Sequence, residues 1–261
     1  MITTFEQDRM WNNFIGNSDF ALIIDNRGIG YNHISKPVNA SGNIKSEIIN
    51  LKPKVVLIKD INSGDIWSSA YRVETENDHQ AQFMHGSGYT ILNSEYNDIQ
   101  TQTKYFVPQN EHLEIWHLKI SNTGLKKREL SLATFENENN DFFKGFTNAD
   151  SKCDGLRCLG FFCGDTIAGK SDIRKFINPK FNRKKSPESD LECGSKFNIF
   201  QVDIELEPTK VLDFVVIMAP EYKENVKPEI FNKFGNIEAV ENEYNKILNN
   251  KICTTNAIRI F

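Results

Sequence analysis

The chain has 261 residues, of which 39% are hydrophobic and 25% charged, and its formal net charge is −4. That length suits one large all-β domain or two small ones, and the composition is that of a folded globular protein. A weakly acidic chain lacks the basic stripe of a nucleic-acid binder, and the short run Arg183-Lys184-Lys185 beside Ser186-Pro187 reads as a solvated loop.

No apolar stretch approaches the ~20 residues that cross a bilayer, so no membrane segment is expected. The first residues lack the basic start and apolar run of a signal peptide. The five cysteines, Cys153, Cys158, Cys163, Cys193 and Cys253, form no C-x2-C pair and have no histidine among them. No metal is expected, and an odd number of thiols suits a reducing compartment, so the expected location is cytoplasmic.

Short β-type segments run along most of the chain. Residues 20–25 are an apolar strand, and Asn26-Arg27-Gly28 turns the chain into a second strand around Tyr31. Residues 54–60 form another strand; Asn62-Ser63-Gly64-Asp65 is a turn, and Ile66-Trp67 begins the return. After His85-Gly86-Ser87-Gly88-Tyr89, strict alternation places Ile99, Thr101, Thr103, Tyr105 and Val107 on one face. Residues 113–121 form a strand with Trp116, Leu118 and Ile120 on one face and His117 on the opposite, solvent-facing side. Asn122-Thr123-Gly124 turns it back into 128–135. Residues 137–196 read as long loops and irregular strands, with Pro179 and Pro187. Phe200, Val202, Ile204 and Leu206 alternate with polar residues, and 211–218 is a continuous apolar run, as in a strand covered on both faces. From Pro228 the period becomes helical, with Ile237, Val240, Tyr244, Ile247 and Leu248 on one stripe. The pattern predicts an all-β fold, a large antiparallel β-sandwich over 1–225, followed by a helical linker or tail over 226–261.

The chemistry-bearing residues are sparse. The glycine-rich stretch at 85–89 has no Lys-Ser/Thr pair and leads into a strand, which excludes a phosphate loop. Glycines in β regions mark bulges or close backbone approaches, so the stretch either aims His85 and Tyr89 at a ligand or is a structural turn. No G-x-S-x-G elbow occurs. Glu95, Asp98, Glu136 and Glu138 are the carboxylates considered for a glycosidase pair, and each reads as a turn or edge residue. Trp11, Trp67 and Tyr89 are the aromatics considered for stacking on sugar rings, against core packing as the alternative.

Several motifs together resemble the glycoside hydrolase family 94 proteins, formerly glycosyltransferase family 36. These are Trp11-Asn12-Asn13-Phe14-Ile15-Gly16-Asn17, Asp65-Ile66-Trp67-Ser68, His85-Gly86-Ser87-Gly88-Tyr89-Thr90 and Tyr105-Phe106-Val107-Pro108. The strands 114–123 and 200–208 extend the resemblance over nearly the whole chain. The family includes cellobiose and chitobiose phosphorylases and NdvB-type cyclic β-1,2-glucan synthases. The resemblance implies a galactose-mutarotase-like super-sandwich, joined by helical linkers to an (α/α)6 barrel that carries the catalytic acid. Inorganic phosphate is the co-substrate of such full-length enzymes; no other cofactor is implied.

The sequence ends about where the linker would pass into the barrel, and no counterpart of the catalytic acid is found. The resemblance therefore implies a non-catalytic carbohydrate-binding or dimerisation domain of an inverting disaccharide or β-glucan phosphorylase, inactive alone. Its implied partners are an oligosaccharide or β-glucan, a catalytic barrel domain or subunit, and a second copy in a homodimer. The alternative is a free-standing carbohydrate-binding protein or split-gene subunit. Under this resemblance the expected carbohydrate contacts are His85, Gly86, Gly88, Tyr89, Trp67 and Trp11.

Overall fold

The structure is a computed structural model that describes residues 2–4, 11–17, 19–37, 44–70, 80–135, 157–163, 166–177, 198–219 and 227–249. The first half contributes β1 (Ile2–Thr4), β2 (Asn12–Gly16), β3 (Phe20–Asp25), β4 (Ile29–Pro37), β5 (Ile44–Pro53), β6 (Leu57–Asp60) and β7 (Ile66–Ser68). It continues with β8 (Gln80–Gly86), β9 (Tyr89–Tyr96), β10 (Ile99–Phe106), β11 (Glu114–Asn122) and β12 (Arg128–Phe135). The second half adds β13 (Arg157–Cys163), β14 (Thr166–Ile167), β15 (Gly169–Asp172), α1 (Ile173–Ile177), β16 (Asn198–Leu206), β17 (Val211–Ala219), α2 (Lys227–Phe234) and α3 (Ile237–Asn249). Cys153, Cys193, Cys253, Glu136, Glu138, the basic run at 183–185 and most of the irregular 137–196 stretch lie outside the described residues.

The strands form an eight-stranded sheet in the order β1-β8-β9-β10-β11-β17-β13-β14, a five-stranded sheet β15-β16-β12-β6-β7 and a four-stranded sheet β2-β3-β4-β5. Neighbouring strands pair antiparallel. The large sheet faces the two smaller ones, as in an all-β sandwich. Its inward side chains, among them Leu92, Tyr105, Trp116, Leu118, Phe214 and Val216, share one core with Leu22 and Ile24 of β3 and Leu130 and Leu132 of β12. Turn chemistry sets the hairpins. Asn97 and Asp98, both at positive φ (51° and 64°), close β9 onto β10, as a primed two-residue turn requires.

The outer face of the large sheet is covered at one end by α2 and α3. Val240, Tyr244 and Ile247 of α3 and Ile230 and Phe234 of α2 pack on Phe106, Ile115, Val215 and Ile217. Burying a side chain such as Val240 or Ile247 stabilises by roughly 1.5–3 kcal/mol. Asn236 caps α3, accepting the Ala239 amide on its side chain at 2.8 Å.

Three expectations are corrected. His117 does lie opposite Trp116, but α3 covers that side of β11, and the ring is 0% exposed. On α3, Leu248 is 46% exposed, and Glu243 takes a buried place instead. The strand expected over 54–60 begins only at Leu57. Before it, the Lys54 amide donates to Gly28 O at 2.6 Å and the Val56 amide to Ser69 Oγ at 3.0 Å, so these amides serve tertiary contacts rather than a ladder.

One charged network sits inside the sandwich. Lys54 and Glu114 are both fully buried, with Nζ 3.2 Å from Oε1. Asn32 Nδ2 donates to Glu114 Oε2 at 2.7 Å, Trp116 Nε1 donates to Oε1 at 3.0 Å, and Lys54 Nζ donates to Asn32 Oδ1 at 2.8 Å. The network ties β4 of the four-stranded sheet to β11 of the eight-stranded one. A buried pair of this kind is tolerated because its remaining donors and acceptors are used.

Candidate functional site

The glycine stretch closes the β8–β9 hairpin with Ser87 and Gly88 at its tip. Gly88 sits at φ +80°, a conformation that side chains rarely adopt. Gly86 is paired across the ladder with Tyr89, and the tyrosine ring folds back over it; a Cβ at Gly86 would collide with that ring. The ring then meets Tyr244 of α3 edge-on, with centroids 5.5 Å apart. Both glycines therefore have a local structural reason.

A chain of hydrogen bonds anchors this turn to the start of the protein. Buried Asn13 of β2 shares its two Nδ2 hydrogens among three acceptors, Gly86 O at 3.0 Å, Tyr89 O at 2.7 Å and Thr90 Oγ1 at 3.1 Å. His85 Nδ1 lies 2.9 Å from Thr90 Oγ1, and Nε2 lies 3.3 Å from the Trp11 carbonyl. A carbonyl can only accept, so Nε2 carries the proton and Nδ1 accepts the Thr90 hydroxyl. Burial pushes the His85 imidazole down to about 4, against the opposing pull of the Trp11 carbonyl and the Asp25 carboxylate.

Beside the turn, Asn17 Nδ2 donates to Glu111 O at 2.9 Å and so fixes the loop that follows β10. Between them lies a cavity of about 250 Å³ lined by Gly16, Asn17, Gly88, Val107, Gln109, Asn110 and Ile247. Gln109 and Asn110 stand exposed at its rim. The described lining offers amides, main chain and two aliphatic side chains, and no carboxyl. Such a lining can hydrogen-bond hydroxyls but cannot protonate a leaving glycosidic oxygen.

Of the residues expected from sequence, His85, Gly86, Gly88 and Tyr89 come together at this turn, with the Trp11 carbonyl joined to them. The Trp11 ring is half-buried against the main core. Trp67 lies elsewhere, 2% exposed in the core and 5.1 Å from the Tyr96 ring. Glu95 lies on β9 and Asp98 in the β9–β10 turn, both away from the cavity lining. Sequence reasoning missed Asn13, Asn17, Gln109 and Asn110. Asn12-Asn13 was visible as an amide pair inside a strand, but only the fold shows which turn it meets.

A second polar cluster lies under α3. His117 Nε2 and Asp213 Oδ1 are 2.7 Å apart, and Lys119 Nζ lies 3.3 Å from Asp213 and 3.2 Å from Glu241. The His117 hydrogen bond is the largest influence on Asp213 and holds its carboxyl below the usual range. His117, Asp213 and Glu241 bring three possible metal-ligand atoms within 4.8 Å of one another. The Lys119 ammonium already supplies positive charge between the two carboxylates, so a metal would have to displace it.

Residues 1–137, just over half of the chain, match the family described as the glycosyl hydrolase 94 supersandwich domain. The chain belongs to this family. An N,N'-diacetylchitobiose phosphorylase from Vibrio proteolyticus is 29% identical over 139 residues, covering 52% of this chain and 17% of the relative. The N,N'-diacetylchitobiose phosphorylase of Vibrio furnissii is 26% identical over 135 residues, with 50% and 17% covered. A 3-O-beta-D-glucopyranosyl-beta-D-glucuronide phosphorylase from Paenibacillus borealis is 24% identical over 197 residues, covering 75% of this chain and 25% of the relative. The chain thus spans a quarter or less of the length of these relatives. Among the described residues, no helix is long and apolar enough to cross a membrane.

Proposed function

We propose that this chain is a non-catalytic carbohydrate-binding and dimerisation domain of an inverting disaccharide or β-glucan phosphorylase system. The observation that carries the reading is the supersandwich match over residues 1–137 in a chain whose relatives are phosphorylases. The amide-lined cavity at Gly88 supports it, since that lining suits sugar hydroxyls and holds no general acid. Gly88 main chain and the Gln109 and Asn110 amides are the groups that meet the sugar. His85, Gly86, Tyr89 and Trp11 shape the turn that presents them, and Trp67 supports β9 from the core. Bond breaking, with inorganic phosphate as co-substrate, belongs to an (α/α)6-barrel domain or subunit. The domain works in the cytoplasm, where thiols such as Cys158 and Cys163 stay reduced.

The test is association. The purified chain is mixed with the isolated barrel region of a chitobiose phosphorylase relative and analysed by sedimentation, with and without chito-oligosaccharide. The reading expects self-association of the chain and a complex with the barrel. A chain that stays monomeric and ignores the barrel at high micromolar concentration would remove the dimerisation and partner roles.

A further inference from the structure

The outer face of the eight-stranded sheet changes character along its strands. Ladder register places Tyr89, Phe106, Ile115 and Ile217 in one row, which α2 and α3 cover together with Ile91 and Val215 of the next. The next row holds Ile91, Lys104, His117 and Val215. Beyond it lie Gln82, Asn93, Gln102, Lys119 and Asp213, one from each of five neighbouring strands. The last described row is Glu95, Gln100, Ser121 and Val211. These two outer rows, Asp213 excepted, line an open trough of about 480 Å³ together with Ser94 and Thr101, and α3 reaches its edge where Glu241 meets Lys119. Five strands at a spacing of ~4.8 Å make it roughly 19 Å across.

The side chains of the trough are organised. Gln102 Nε2 donates to Asn93 Oδ1 at 3.0 Å, and Gln100 Nε2 donates to Glu95 Oε2 at 2.9 Å. Each bond fixes an amide plane. The first bond uses the Asn93 carbonyl and one Gln102 N–H, so the Asn93 NH2 and the Gln102 carbonyl remain as a donor and an acceptor on directly paired residues. Lys119 is committed to Asp213 and Glu241, so its charge is balanced from within the protein. Interfaces between proteins are anchored by buried aromatic or aliphatic groups. Here Val211, 49% exposed at the margin, is the one apolar side chain among the residues of the two rows.

We infer that this trough is a second carbohydrate site, one that binds an uncharged oligosaccharide strand laid across β8, β9, β10 and β11. Sugar hydroxyls both donate and accept, and neighbouring hydroxyls on a ring match a fixed pair of amide donor and acceptor. The paired amides lose little rotamer freedom when a ligand arrives. With Lys119 shared between two carboxylates and Glu95 bonded only to an amide, the trough favours a neutral glycan over an anionic one. The choice of ligand class rests on the reading of the domain as a carbohydrate-binding unit, but the site is separate from the cavity at Gly88 and tests independently of it.

The experiment follows side-chain amide NMR signals of the full chain during titration with cello-, chito- and β-1,2-gluco-oligosaccharides. The expected result is movement of the Asn93 and Gln102 NH2 signals and at least a tenfold loss of affinity in the Asn93→Ala/Gln102→Ala double variant. Its thermal midpoint should stay within a degree or two of the parent, because both residues lie on a solvent-facing row. Added salt should leave the affinity unchanged. Three results overturn the inference: affinity in the double variant within twofold of the parent, signal movement confined to Gln109 and Asn110, or no binding of any of the three glycans at millimolar concentration. The second leaves the carbohydrate reading of the domain standing at the Gly88 cavity. The third removes the trough while the association with the barrel is judged on its own.

Discussion

The two faces of the large sheet solve different problems with similar strands. The inner face is mainly apolar where it meets the two smaller sheets, its buried Thr and Ser hydroxyls such as Ser94 and Thr101 bond each other, and its charged group Glu114 is paired with Lys54 deep inside. The outer face is apolar under the centre of α2 and α3, meets the His117–Asp213–Lys119 cluster at the edge of α3, and then turns to amides and charges. Residue type thus follows what covers each row rather than the strand it belongs to. It also explains β11, which reads as one-sided but is buried on both faces through Leu118 because α3 reaches over His117.

The largest effect is expected on the inner face. Glu114→Ala leaves the Lys54 ammonium buried without its carboxylate and should cost about 3–5 kcal/mol in denaturant unfolding. Replacing both partners with apolar residues should recover much of that loss; if the single and double variants are equally damaged, the network is not a coupled pair. On the outer face, Ile247→Ala opens a cavity under α3 and should cost about 2–5 kcal/mol. Hydrogen exchange should rise in α3 before β11 or β17. A uniform rise through all three would mean that the helix and sheet open as one unit.

A smaller effect comes from pH. His85 is held neutral in the fold, at about 4 against an ordinary value of 6.5. The unfolded chain therefore binds the proton first, and stability should be full above about 6.5, fall as pH drops towards 4, and level off below it. His85→Gln should flatten that slope by about one proton, read as unfolding free energy against pH. Asp213 acts in a lower window. Its contribution is present above the ordinary carboxylate range and is lost as pH falls below it. The smallest change expected is Lys127→Ala, which removes an exposed bridge to Glu205 and should leave the thermal midpoint unmoved.

Much of this architecture is legible in the sequence. Strands 20–25 and 128–135 announce themselves by apolar runs between turn residues, and both occur with those bounds. The helix at the end shows its stripe, although Leu248 on that stripe is exposed and Glu243 off it is buried. Burial of His117 was not legible, because alternation tells which side a residue faces and not what lies on that side. The Lys54–Glu114 pair and the amide rows depend on strand register between segments far apart in the chain. At the glycine turn, the sequence shows that backbone must come close to something. The structure identifies that neighbour as the Tyr89 ring and shows the amide cavity beside it.

The most direct test of the central claim is phosphate release by the purified chain from glucose 1-phosphate and from N-acetylglucosamine 1-phosphate, each with a matching sugar acceptor. No release above the buffer rate is expected from the chain alone. Sustained release that co-purifies with the chain would contradict it and would place a general acid within these 261 residues.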